Sequence, residues 1–277
     1  LAWAAGDSRS RGFLLGATAG RTTLNGEGLQ HEDGHSHLLS ATIPNCISYD
    51  PCFSYELAVI IQNGLERMIK NQEDVFYYIT IMNENYTHPE MPKNINEDII
   101  KGIYKYSENK AKGPKVQLMG SGVILREVIE AASILEKDFN ISSTVFSVTS
   151  FTEVRRNALD IQRWNMLNPD KTEKKSTLDE IIIDLESPII TATDYMKSFA
   201  EQIATFLPNK FISLGTDGFG RSDSREALRD FFEVDRNHIV IAALKALTEK
   251  QEIEKSVLLS AIKKYKIMND KPNPVSL

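Results

Sequence analysis

Val75-Phe76-Tyr77-Tyr78-Ile79-Thr80-Ile81-Met82 is an apolar run of mostly β-branched and aromatic residues, the composition of a buried strand. Before it, over residues 53–71, apolar side chains recur at Leu57, Ile60, Ile61, Leu65, Met68 and Ile69, which is helical spacing. Upstream again, residues 11–18 and 41–48 read as short strands or strand ends flanking a polar loop. A strand–helix–strand order predicts a parallel sheet in an α/β protein.

Residues 83–96 carry Pro89, Pro92 and four asparagines, the composition of a linker. A boundary near Pro92 divides the chain into residues 1–92 and 93–277. The second part repeats the α/β rhythm. Strands are predicted over 116–119, 143–149, 188–192 and 211–214, and helices over 123–139, 151–167, 194–206, 237–250 and 253–266, with 168–177 an exposed charged connection. Asp194 is predicted to cap the helix it opens. Ser222 or Asp223 is expected to cap another, with Glu226 completing a capping box with Asp223.

At 277 residues the chain accommodates about two domains. A formal charge of −6 gives no general reason to expect nucleic acid or an anionic membrane as partner. No apolar run approaches the ~20 residues that span a bilayer, and no secretory pattern opens the chain. Cys46 and Cys52 are the only cysteines. A disulfide, a reactive pair and two small core hydrophobes are all open to them; without secretory context, reduced thiols in a cytoplasmic protein are expected. The opening residues, Leu1 to Asp7, read as the inside of an element, so an excised segment of a longer polypeptide is expected.

Residues 20–37 pack three of the five histidines, four glycines and five acids or amides into eighteen positions. That density builds a loop presenting titratable groups rather than a core. Histidine gains and loses protons near its ordinary pKa of about 6.5. The spacing of His31, His35 and His37 also permits metal ligation, although no CxxC or HExxH pattern accompanies it and no metal is expected. For His35 and His37, hydrogen bonds that tie down a long turn are an equal alternative.

The run from Gly16 to His37, GATAGRTTLNGEGLQHEDGHSH, continues in Ile43-Pro44-Asn45-Cys46-Ile47-Ser48-Tyr49-Asp50-Pro51, in Tyr77-Tyr78-Ile79-Thr80 and in Asn83-Glu84-Asn85-Tyr86. Farther on come Arg163-Trp164-Asn165-Met166-Leu167 and the stretch from Leu214 to Glu226, LGTDGFGRSDSRE. In this order along the whole chain, these runs resemble the C-terminal third of the homodimeric bacterial pyruvate dehydrogenases. These are thiamine-diphosphate-dependent decarboxylases of the transketolase-like superfamily.

The resemblance implies an α/β fold in which the end of a middle, pyrimidine-binding-type domain is followed by a transketolase C-terminal-like α/β domain. It implies pyruvate as substrate, a second copy of the chain as partner, and the lipoyl domain and core of the dihydrolipoyl acetyltransferase as acceptor. It assigns His31 to catalysis and substrate contact beside the cofactor's reactive carbon, with Glu27 near it, and makes His37 a second substrate-binding candidate. Thiamine diphosphate and Mg²⁺ are implied for the parent enzyme. The Gly-Asp-Gly segment and downstream Asn that hold them in such enzymes are not in this sequence, so no cofactor-binding residue is expected in this chain and the chain alone is expected to be inactive. Residues 93–277 contain a single histidine, His238, so a purely structural or dimerising role for the second part is the alternative.

Three smaller signals have structural alternatives. Gly120-Ser121-Gly122 lacks the third glycine of a dinucleotide loop and reads as a tight turn. Gly215 to Gly220, before a capped helix, reads as an anion site or as a loop shaped by its glycines. Phe76, Tyr77 and Tyr78 read as buried sheet.

Overall fold

The computed structural model describes residues 1–17 and 19–277. Its first sheet is parallel: β1 (Phe13–Ala17), β2 (Cys46–Tyr49) and β3 (Phe76–Ile81) in the order β1-β3-β2. Tyr77 of β3 pairs with Phe13 on one side and Ile47 on the other. The strand expected over 11–18 is thus Phe13–Ala17, and Thr18 lies outside the described residues. Helices α1 (Ala2–Asp7) and α2 (Ser36–Ala41) flank this sheet. The second strand expected over 41–48 begins only at Cys46, because Ala41 closes α2. Helix α3 (Ser54–Leu65) crosses from β2 to β3 and runs into a π-helical turn, Glu66–Lys70. Its first turn is held by Glu56, whose carboxylate accepts the backbone N–H groups of Cys52 and Phe53 at 2.6 and 2.9 Å.

Residues 82–95 hold no helix or strand. Helix α4 (Asn96–Lys101) then leads through Gly102 in the left-handed region (φ 100°) to β4 (Tyr104–Glu108). The second sheet has the order β4-β6-β5-β7-β8, with β5 (Lys115–Gly120), β6 (Ser142–Ser147), β7 (Ile189–Ala192) and β8 (Phe211–Leu214). All its pairings are parallel except β4 with β6. The central strands feed a core on each face. Leu118, Val145 and Ile190 pack with α5 (Leu125–Phe139) and α10 (Arg236–Glu249). Met119, Phe146 and Ile189 pack on the other face with Phe151 and Val154 of α6 (Phe151–Leu167), Leu178 of α7 (Thr177–Ile181) and Phe199 of α8 (Lys197–Glu201). This is the two-periodicity of a pleated strand covered on both sides. Two further helices, α9 (Arg225–Phe231) and α11 (Lys255–Lys264), complete the fold.

The two sheets share core. Ile99 of α4 and Tyr104 of β4 lie in the core of the first sheet, while Cys52 and Phe53 lie in that of the second. Both cysteines are buried free thiols, and burial pushes Cys46 up to about 11 and Cys52 well above its ordinary value, so neither reads as a reactive thiolate. Gly120-Ser121-Gly122 is a tight turn closed by Asp50: a Cβ on Gly122 would lie 2.5 Å from the Asp50 carboxylate.

Gly64, inside α3, sits under the Phe13 ring, where an added Cβ would come within 2.7 Å of Cε1 and 3.3 Å of the Tyr77 ring. In an exposed helix Gly→Ala gains up to ~1 kcal/mol, whereas overpacking a core costs about 1–3 kcal/mol. The clash wins here: Gly64→Ala is expected to lower unfolding free energy in urea by about 1 kcal/mol, and a gain would show that Phe13 yields freely.

Candidate active-site loop

The polar run after β1 lies against the second sheet. Gly20 turns with φ +89°, and a Cβ there would fall 2.2 Å from the Asp194 carboxylate. Asp194, just past β7, is fully buried. Its two oxygens accept the N–H of Thr22 (2.9 Å) and the hydroxyl of Thr23 (2.7 Å). Burial raises its pKa while these bonds and the charge of Arg229 pull it down. Asp194 therefore caps no helix: α8 starts three residues later, and the carboxylate is spent on the loop. Arg225 donates to the Thr23 carbonyl at 2.8 Å, and Arg229 donates to the Thr22 hydroxyl and forms a close ion pair with Glu84. Arg21, buried beneath, donates to the carbonyl of Thr216. The cap of α9 is Ser224, one residue past the expected Asp223, and the Asp223 carbonyl instead accepts the N–H of Gly26.

Beyond these anchors the chain surfaces. Glu27 and His31 are exposed, with His31 ending a single 3₁₀ turn, Leu29–His31. Glu32, the next residue, turns inward and accepts the N–H of Arg221 at 2.6 Å. Asp33 then accepts the N–H groups of His35 and Ser36 and sets the start of α2, leaving His35 exposed.

His37 departs from the expectation of a substrate contact. It is 0 % exposed, its ring stacked on Phe199 at 4.6 Å and edge-on to Tyr195 at 4.7 Å. Burial pushes it down to about 3, so it is neutral, with Nε2 3.0 Å from the Thr80 hydroxyl. The run is therefore not one loop presenting three imidazoles, because α2 carries the third into the core. Nor do the three converge on a metal. Among the described residues the one group of metal-capable side chains whose ligand atoms meet is Asp230, Asp235 and His238.

Sequence reading missed a buried polar chain. The Thr80 hydroxyl donates to Asp50 (2.7 Å), Asp50 accepts from Ser121 (2.8 Å), and Ser121 lies 3.1 Å from the Thr193 hydroxyl. Burial pushes Asp50 up to about 7, against the two hydroxyl bonds that lower it. Its only trace in sequence is an acid at the end of a strand, before Pro51. The loop from Gly215 to Gly220 follows its structural reading: Gly218 takes φ +97°, and Gly220 packs on Glu32.

The two sheets, with an N-terminal polar loop pinned on the C-terminal part, define a transketolase-like α/β module. A transketolase from Campylobacter jejuni superposes with a TM-score of 0.65 at 16% identity, covering 88% of this chain and 33% of that one. A split-gene transketolase, an inactive β4 tetramer, gives 0.55 at 15% identity over 85% of this chain and 67% of its own. Residues 1–89 match the pyruvate dehydrogenase E1 component middle domain, and residues 102–235 the transketolase-like C-terminal domain. The pyruvate dehydrogenase E1 components of Pseudomonas aeruginosa and Escherichia coli K12 are 58% and 57% identical over 99% of this chain, and that of Cupriavidus necator 56% over all of it. In sequence the chain thus matches a pyruvate dehydrogenase E1 middle domain followed by a transketolase-like C-terminal domain, and it spans 31% of the length of these relatives.

Asp50 sets an expected pH dependence. Its value in the folded protein, about 7, exceeds the ~4 of an unfolded aspartate, so its contribution to stability is greatest below pH ~4 and is lost as pH rises through about 7. At ~1.4 kcal/mol per unit this amounts to at most about 4 kcal/mol. Asp50→Asn is expected to flatten the curve of unfolding free energy between pH 5 and 8; an unchanged slope would show that Asp50 ionises freely.

Proposed function

We propose that this chain is the C-terminal part of a pyruvate dehydrogenase and supplies one wall of its active site, with His31 as the catalytic and substrate-contacting group and Glu27 beside it. The parent enzyme decarboxylates pyruvate on thiamine diphosphate with Mg²⁺. It then reductively acetylates the lipoyl group of the dihydrolipoyl acetyltransferase, acting as a cytoplasmic homodimer. The observation that carries the reading is the posture of His31: an exposed imidazole on a short turn whose flanks are fixed by buried charged contacts. Arg21, Glu32 and Asp194, which fix those flanks, are all buried, an arrangement that costs free energy unless each is paired.

From its turn, the imidazole donates a hydrogen bond through a ring N–H to a substrate carboxylate, or to an oxygen gaining negative charge, and passes a proton to it. Glu27, also exposed, adds a carboxylate on the same stretch. The acids of this region do not fit a metal–diphosphate cradle, since Asp33 accepts the backbone N–H groups of His35 and Ser36, Glu32 faces a backbone N–H and Asp194 accepts from two threonines. We assign the groups that hold the cofactor to the rest of the parent protein. We place the division between the parts at 1–92 and 93–277, supported by the element-free stretch between the sheets.

The structural alternative for the second part has its own support. Asp194, Thr216, Arg221, Arg225 and Arg229 all come from after residue 93, and all hold the loop. The second part thus sets the posture of His31. No helix of the described residues is long and apolar enough to cross a membrane.

His31→Ala in the full-length enzyme is expected to lower turnover by about 10²–10⁴ with the fold intact by circular dichroism. Wild-type turnover in that variant removes His31 from the mechanism. Purified chain 1–277, supplied with thiamine diphosphate and Mg²⁺, is expected to release no CO₂ from pyruvate; measurable release would show that the holding groups lie within it.

A further inference from the structure

Glu32 is the buried ionisable group nearest His31 in the chain that the proposed chemistry leaves unused. It is 5 % exposed although its neighbour His31 is at the surface. One carboxylate oxygen, Oε2, accepts the Arg221 N–H at 2.6 Å, while Oε1 is buried without a partner among the described residues. The contact with the loop after β8 is close on the backbone side as well. A Cβ on Gly220 would fall 2.7 Å from Glu32 Cβ and 3.1 Å from the carbonyl of Leu29, the first residue of the His31 turn. The Glu32 N–H donates to that same Leu29 carbonyl, so the residue bearing the carboxylate is bonded directly to the turn.

We propose that Glu32 is a positioning residue for His31: its inward carboxylate clamps the Leu29–His31 turn to the loop from Gly218 to Arg221 and so fixes where the imidazole stands. The assignment rests on the reading of His31 given above. A carboxylate accepting a backbone N–H is a charge-assisted bond, stronger than a neutral one. Burial, the larger influence, pushes Glu32 up to about 7, and the Arg221 N–H opposes it. The charged groups facing Glu32 are Arg21 of its own loop and Asp194 from the segment after β7, of opposite effect.

The test uses the full-length protein with two readouts. In Glu32→Gln, amide hydrogen exchange in the peptides bearing Arg221 and Leu29–Glu32 is expected to accelerate about tenfold or more at unchanged melting temperature. In the same variant kcat is expected to fall about 10–100-fold with KM within about twofold, because a misplaced group costs rate rather than binding. If that variant does not fold, Gly220→Ala, which pushes on Glu32 from the facing loop, is expected to accelerate exchange in the same two peptides. Unaltered exchange in both peptides overturns the clamp. Accelerated exchange with unaltered kcat overturns the positioning role. The exchange readout does not pass through turnover: full activity in His31→Ala together with accelerated exchange in Glu32→Gln defeats the catalytic reading of His31 and not the clamp.

Discussion

A buried carboxylate, Asp194, takes a backbone N–H and a hydroxyl from Thr22 and Thr23, and the posture of the first part's polar loop follows from that pairing. A charge taken out of water is tolerated only where its lone pairs are met, and here the donors lie on the far side of the molecule in sequence. The loop fits because Gly20 leaves room for the carboxylate and because Arg225 and Arg229 satisfy the carbonyl and hydroxyl on either side. Around this contact the structure sorts the run by residue: Arg21 to Leu24 and Glu32 go inward, Glu27, His31 and His35 outward. The exposed groups are displayed by the buried ones.

Much of the fold was readable because its strands and helices carry strong periodicity. Helix α6 and strand β8 fall where their patterns put them, and the parallel character of the first sheet followed from a helix between two apolar runs. Three elements depart from their sequence patterns. β4 reads Tyr104-Lys105-Tyr106-Ser107-Glu108, too polar to signal a strand, and exists because β6 offers it an antiparallel edge. The predicted helix over 194–206 shrank to α8 and a 3₁₀ turn, Ala204–Phe206, because Asp194 serves a partner far away rather than its own N-terminus. The cap of α9 is Ser224 in place of Ser222 or Asp223, because the helix begins at Arg225 and its Ala227 N–H reaches the Ser224 hydroxyl.

The candidate site divides in the same way. His31 and Glu27 stand out in sequence because dense polar and glycine residues mark a surface turn, and the structure leaves both exposed. His37 carries the same local signal and lies in an aromatic box built by Tyr78, Tyr195 and Phe199, none of them near it in sequence except through the fold. Glu32 and Asp50 are silent for the opposite reason. A single acid has no pattern, and what distinguishes these two is the loss of water around them.

The span between Thr22 and Asp194 is 172 residues. A ribosome adding about 5–20 residues per second needs roughly 10–30 s to cover it. Throughout that interval the nascent chain already carries the His31 turn but not the carboxylate that seats it. Seating of this loop is therefore a late event in biosynthesis, and a growing chain stalled before β7 holds His31 on an unanchored tether.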